Sequence, residues 1–213
     1  MGVKEGLADV RARIAAACAR ARRDPASVSL VAVSKTKPVE LIREAAQAGQ
    51  ASFGENYAQD FREKHEALPD LDWHFIGALQ TNKVKYVAGK AALIHTCDRL
   101  ALAREISKRA RGEQRVLLEV NVGREPQKAG VLPDDAEALL DQIRALPGLR
   151  CEGLMCIPPA EGDPRPHFAA LRELAEKLGL RQLSMGMSAD YEAAIEEGAT
   201  IVRVGTAIFG ARG

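Results

Sequence analysis

Aromatic residues make up only 4% of this 213-residue chain, which leaves few stacking platforms for single-stranded nucleic acid. Excess charge is lacking too. Thirty basic residues against 29 acidic ones leave a net +1, so no field argues for a nucleic-acid backbone or a membrane surface as partner. The four cysteines (Cys18, Cys97, Cys151 and Cys156) include no C-x-x-C pair and no metal-ligand spacing. In a chain of this length they read as reduced, small core residues. The histidines form no H-E-x-x-H pattern. His95 and Cys97, two apart, would share a sheet face, but no metal is expected there. No apolar run approaches the roughly 20 residues that span a bilayer. The first residues, Met1 to Gly6, carry neither a signal-peptide core nor a myristoylation serine or threonine. A cytoplasmic protein is expected, with no nucleic-acid and no membrane partner.

What is present is an ordinary globular composition, 46% hydrophobic and 28% charged, over a length that can bury a substantial core. One domain covering residues 1–213 is expected. The most informative stretch is Leu30-Val31-Ala32-Val33, an unalternating apolar run that ends in Ser34 and Lys35. Such a run suits a strand buried on both faces of a parallel sheet. Lys35 then sits where the strand leaves the core, ahead of a helix that starts near Pro38. Burial disfavours an ammonium and exposes the free amine as a nucleophile. On this stretch alone, Lys35 and Lys37 read equally as solvated turn lysines.

The rest of the chain alternates. Residues 3–22 place Val3, Leu7, Val10, Ile14 and Cys18 three or four apart, the pattern of an amphipathic helix. Strands are predicted at 29–33, 51–53, 73–76, 92–96, 115–120, 151–155, 182–184 and 200–204. Helices are predicted near 39–48, 57–67, 82–87, 98–110, 133–145, 166–178 and 190–197, with Asp98 as an N-cap. Eight strands alternating with helices predict an α/β fold, a (β/α)8 TIM barrel. An open doubly wound sheet is disfavoured because no G-x-G-x-x-G follows the first strand. Few residues follow the eighth strand, so the N-terminal helix is expected to cover the barrel there.

Barrel enzymes carry their chemistry on the loops after the strands, often with a phosphate site after strands seven and eight. Polar residues sit at that rim: Lys35, Asn56, His74, Thr96, Asn121, Ser184, Ser188, Arg203 and Thr206. Each has a structural explanation taken singly, as a turn residue, a helix cap or a buried ion pair. Together they say more. Met185-Gly186-Met187-Ser188 offers free backbone and a hydroxyl before a helix, and Gly205-Thr206 offers a second hydroxyl across the same rim. With Arg203 directed into the barrel mouth and an isolated amine at Lys35, this describes a phosphorylated aldehyde held as a Schiff base. A Schiff-base aldolase acting on a sugar phosphate fits the same spacing.

Five ordered motifs carry a family resemblance that runs on to Ala211 and Arg212: Val33-Ser34-Lys35-Thr36-Lys37-Pro38, Phe53-Gly54-Glu55-Asn56-Tyr57, Trp73-His74-Phe75-Ile76-Gly77, Gly186-Met187-Ser188-Ala189-Asp190, and Arg203-Val204-Gly205-Thr206-Ala207-Ile208-Phe209-Gly210. The chain resembles, over essentially its whole length, the pyridoxal phosphate homeostasis proteins, single-barrel relatives of the alanine racemase N-terminal domain. The resemblance implies that fold (type III among pyridoxal phosphate proteins), with an extra N-terminal helix. It implies pyridoxal 5'-phosphate as cofactor, attached to Lys35. Ser188, Gly205 and Thr206 would hold its phosphate, and Arg203 would face the pyridine nitrogen. Asn56 would lie near the ring, and His74 would line the pocket. Asn121 and the Lys128 loop match a further family segment, although Gln127 stands where a serine is expected and Ala78 is smaller than expected.

The function implied is a carrier or buffer of pyridoxal phosphate in vitamin B6 and amino-acid homeostasis, without substantial catalysis. Apoenzymes that use the cofactor would be recipients, and a monomer is expected. The alternative is a weak amino-acid racemase. An arginine at the pyridine nitrogen tends to keep it unprotonated, which weakens the ring as an electron sink. None of Tyr57, Tyr86 and Tyr191 stands at an obvious strand end facing Lys35.

Overall fold

Runs of apolar residues too short for helices form the strands, and each is followed by a helical segment that returns the chain to the same sheet edge. The computed structural model describes residues 2–210, so Ala211 and Arg212, to which the resemblance runs, lie outside the described residues. The strands are β1 (Ser29–Val33), β2 (Ser52–Glu55), β3 (Asp72–Phe75), β4 (Leu93–Cys97), β5 (Gln114–Glu119), β6 (Leu149–Met155), β7 (Gln182–Ser184) and β8 (Ile201–Val204). They pair in sequence order and close as a parallel barrel. β8 returns to β1 with Val31 opposite Arg203. The helices are α1 (Val3–Arg20), α2 (Val39–Gln47), α3 (Ala58–Ala67), α4 (Leu100–Arg109), α5 (Ala136–Arg144), α6 (Arg165–Leu178), α7 (Tyr191–Glu196) and α8 (Thr206–Phe209).

Three local expectations differ. The segment after β3 is a 3-10 helix, Thr81–Tyr86, not an α-helix. Its short run is interrupted by β-branched Val84, which favours a helix less than the lysines around it. The residue before α4 is Arg99, which makes no side-chain cap, while Asp98 pairs with the Arg99 guanidinium instead. The segment from Pro133 opens as a 3-10 turn, and α5 starts at Ala136.

Two apolar layers hold the barrel. Between strands and helices lies the larger one, where Phe53, Phe61, Trp73 and Phe75 meet edge-on or tilted at 5.8–6.3 Å. Inside the barrel Val31, Leu93, Leu117, Met155 and Ile201 form a second, smaller cluster. Each large side chain so buried contributes about 1.5–3 kcal/mol. In β3, Trp73 and Phe75 belong to the outer layer, so His74 between them faces inward.

α1 covers the outer face beside α8, which spans four residues. Its buried stripe, Val3, Leu7, Val10, Ile14 and Cys18, joins the outer core. Gly6 is required at this contact, because a Cβ there would lie 2.7 Å from the Ala207 carbonyl oxygen. Arg13 and Arg20 add ion pairs to Glu192 and Glu196 of α7, exposed contacts that contribute little beside the apolar stripe.

The cysteines are free thiols. Burial pushes Cys97 and Cys156 up to about 12 and Cys151 up to about 11, which keeps them protonated and unreactive. His95 and Cys97 do not share a face. A register shift between Ile94 and Cys97 sends Cys97 into the outer core while His95 bonds across the interior.

Candidate functional site

The ends of β1, β7 and β8, with residues that follow β2, β3 and β6, surround a cavity of about 390 Å3 at the mouth of the barrel. That volume suits a small organic ligand. Its apolar wall includes Val33, Ile76, Ile157 and Met187, and its polar lining includes Lys35, Asn56, Ser188, Arg203, Gly205 and Thr206. Those six are therefore gathered at one opening. His74 is not among the lining residues; it lies deeper in the barrel, hydrogen bonded to His95.

Lys35 is half-buried in the turn that leaves β1. The turn closes with the Lys37 amide donating to the Ser34 carbonyl at 3.0 Å. Thr36 is held at φ 63, a left-handed conformation costly for a β-branched side chain and concentrated at functional sites. Underneath, the turn is anchored by buried charge. Ser34 Oγ donates to Glu55 Oε1 at 2.7 Å, and Lys64 Nζ reaches the same carboxylate oxygen at 2.6 Å and the Ser34 carbonyl at 2.8 Å. Burial pushes the Glu55 carboxyl above its ordinary pKa, and Lys64 pulls it back.

The loops after β7 and β8 meet directly: the Gly205 amide donates to Ser188 Oγ at 3.3 Å. Ser188 is thus not the cap of α7. Asp190 closes that loop, its Oδ1 accepting from the Met187 amide at 2.6 Å. Gly186, at φ 90, lets the loop pass over α7, where a Cβ would lie 2.6 Å from Ala194. Gly205 has no room for a side chain either, since a Cβ would meet the Val33 carbonyl at 3.0 Å. The result is a hydroxyl from each loop beside a bare backbone, a cradle for an anion.

Arg203 is 3% exposed. Its Nη1 donates to Ser184 Oγ at 2.6 Å and its Nη2 to the Cys156 carbonyl at 2.9 Å. No carboxylate of the described residues pairs with it, so the buried ion pair expected as an alternative is absent. Asn56 contributes the opposite character: its Oδ1 is buried without a hydrogen-bond partner among the described residues. Gly77 allows this approach, because a Cβ there would lie 2.1 Å from the Asn56 carbonyl oxygen.

A second cavity of about 250 Å3 adjoins the first and shares Asn56, Ile76 and Ile157 with it. Glu119 and Lys128 line it. Glu119, 7% exposed, is pushed up to about 7 by burial and by Asp98, against the pull of Arg203. Sequence reasoning passed over Glu119, although a charge closing the run Val116-Leu117-Leu118 is the same signal that marked Lys35. Asn121 does not line either cavity. It braces the loop above, donating to the Glu125 carbonyl at 2.8 Å and accepting from the Glu125 amide at 3.1 Å.

Comparison with known proteins agrees with this arrangement. Residues 7–213 match the family described as alanine racemase, N-terminal domain. The chain is 51% identical to the pyridoxal phosphate homeostasis protein of Aquifex aeolicus, with 100% of this chain and 99% of that one covered. It is similar to PipY of Synechococcus elongatus with pyridoxal phosphate bound, at 37% identity and a TM-score of 0.83, over 98% of this chain and 100% of that one. Alanine racemase from Corynebacterium glutamicum, at 16% identity and a TM-score of 0.70 over 95% of this chain and 61% of that one, shares the fold alone. The half-buried lysine, the paired hydroxyls and the arginine gathered at one barrel mouth agree with what full-length identity of this order shows: the chain belongs to the pyridoxal phosphate homeostasis proteins, built on the alanine racemase N-terminal domain.

Proposed function

We propose that this protein binds pyridoxal 5'-phosphate through Lys35 and buffers or carries it in vitamin B6 and amino-acid homeostasis, without substantial catalysis of its own. The observation that carries the reading is the cavity in which Lys35, Arg203 and the Ser188–Gly205–Thr206 cradle face one another. The orphaned Asn56 Oδ1 and the cavity-lining Gly205, which carries no side chain, both fit a ligand in contact with the backbone. When bound, the cofactor supplies an aldehyde that condenses with a primary amine. Lys35 offers that amine, Ser188 and Thr206 orient the phosphate, and Arg203 donates toward the ring. Apolar Val33, Ile76 and Ile157 exclude water from the ring faces.

Carriage is favoured over racemisation by what lines the cavity. A racemase needs a second acid or base across the ring, and no tyrosine or histidine of the described residues lines this opening. Tyr57 is 58% exposed, Tyr86 lies under Arg62 and two lysines, and Tyr191 is packed in the outer core. The chain is read as a single-domain cytoplasmic monomer whose recipients are apoenzymes that need the cofactor. Among the described residues no helix is long and apolar enough to cross a membrane.

The test is covalent. Borohydride reduction of protein mixed with pyridoxal phosphate, followed by peptide mapping, should place the label on Lys35, and Lys35→Ala should lose both label and visible absorbance. A label on Lys37, or none, would sink the assignment. Incubation with L- or D-amino acids should give no appreciable racemisation; fast exchange of the α-proton would favour the racemase.

A further inference from the structure

The polar groups below the cavity floor form a single line. His74 Nδ1 lies 2.9 Å from His95 Nε2, His95 Nδ1 lies 2.8 Å from Ser184 Oγ, and Ser184 Oγ lies 2.6 Å from Arg203 Nη1. The line crosses the barrel from β3 through β4 and β7 to β8. His95 and Ser184 are fully buried. We infer that Ser184, His95 and His74 are positioning residues for Arg203, a one-way hydrogen-bond chain that fixes how the guanidinium faces the cavity.

The direction follows from donor capacity. A guanidinium only donates, so Ser184 Oγ accepts from Arg203. Its own proton then needs an acceptor, and His95 Nδ1 is the one within reach. Were Nδ1 protonated, Ser184 would accept twice and its proton would have no partner among the described residues. His95 therefore carries its hydrogen on Nε2 and donates to His74 Nδ1. His74 in turn carries its hydrogen on Nε2. Burial agrees with two neutral rings, holding His74 down to about 4 and His95 well below its ordinary value.

The chain compensates for what Arg203 lacks. No carboxylate of the described residues pairs with it, so neutral groups polarised in one direction share its charge. With Nη1 engaged by Ser184 and Nη2 by the Cys156 carbonyl, the guanidinium plane cannot turn. Two of its five N–H donors are so engaged; among those left without an acceptor in the described residues is Nε–H. For the ring facing that donor, the inference rests on the proposed function; for the chain itself it does not.

Nitrogen NMR of the ligand-free protein tests the direction. Both histidines should appear as neutral rings with hydrogen on Nε2. His95→Gln keeps an acceptor and a donor in line, whereas His95→Leu breaks the line. His95→Leu should move the Arg203 Nε–H resonance, shift the absorption maximum of bound pyridoxal phosphate and weaken its binding by about fivefold, the worth of one hydrogen bond. His95→Gln should restore most of each. Ser184→Ala should act like His95→Leu, with thermal unfolding recorded for every variant to show that the barrel persists. A His95 ring protonated on Nδ1, or a folded His95→Leu protein whose Arg203 resonance stays in place, would overturn the inference. A displaced Arg203 resonance in a protein that binds no pyridoxal phosphate would support it while refuting the proposed function, so the two readings fail separately.

Discussion

Two buried cations of this barrel are held by opposite means. Lys64, 8% exposed, meets the fully buried Glu55 at 2.6 Å, so the joint between β1 and β2 is electrically closed. Arg203, 3% exposed, has a hydroxyl and a carbonyl as its partners, and the cavity opens beside it. Both arrangements cost desolvation. In the first the charge is cancelled in place and the return is a fixed turn under Lys35. In the second no carboxylate of the described residues pairs with it, and the charge is open to the electron-rich ligand of the proposed function.

Breaking the closed region should have the largest effect. Lys64→Met leaves Glu55 buried and unpaired, a change that costs about 3–5 kcal/mol, measurable by urea unfolding. The loss should shrink in acid, because the Glu55 carboxyl, already pushed up by burial, then takes a proton. Adding Glu55→Gln should recover much of the stability. A single Lys64→Met variant as stable as the parent would erase the contrast.

The open region is sharpened by removing its hydroxyls. Ser188→Ala and Thr206→Val should each weaken pyridoxal phosphate binding by roughly ten- to a hundredfold, as charge-assisted hydrogen bonds of about 1.5–3 kcal/mol require. Affinity for pyridoxal, which has no phosphate, should hold. The double variant should be non-additive, since both hydroxyls serve one group. Equal losses for the two ligands in titrations would mean that the anion cradle is misassigned.

The smallest effect concerns Glu119, the acid whose field reaches Arg203 without cancelling it. Its carboxyl is raised from 4.5 to about 7, so the folded protein holds a proton there that the unfolded chain releases. The stability this confers is present below about 4.5 and is lost as pH rises through 7. Glu119→Gln should therefore stabilise the protein by about 1–3 kcal/mol at pH 8 and change little at pH 4. Destabilisation at pH 8 would make Glu119 the missing counter-ion of Arg203.

Most of the barrel was legible because its strands are buried on both faces and so leave apolar runs such as Leu30–Val33. The end of the first, where a charge abruptly follows, located Lys35, and Arg203 was placed by its position on the eighth strand two residues before Gly205. Depth was not legible. The alternation Trp73-His74-Phe75 says that His74 faces inward, yet whether it reaches the cavity or the layer below depends on how the strands are staggered. The His95–Cys97 pair failed for a related reason, a register shift that no residue type announces. Ser188 was ambiguous between cap and ligand contact until Asp190 was seen to close the loop in its place. The loops after β7 and β8 were legible from Gly186 and Gly205, each of which stands where a side chain would collide.

The pairing of β1 with β8 has a consequence for how the protein comes into being. Lys35 is made on the ribosome well before Thr206, at the usual 5–20 residues per second. Until β8 emerges, β1 has an open edge, α1 has no α8 to clasp, and the two halves of the cavity do not exist. The pairing that closes the ring is therefore also what brings the two halves of the cavity together. A ligand that bridges Lys35 and the β8 loop would act as a latch on the ring, adding stability in proportion to the logarithm of its free concentration. The amount of closed barrel in a cell would then report how much ligand is there to close it.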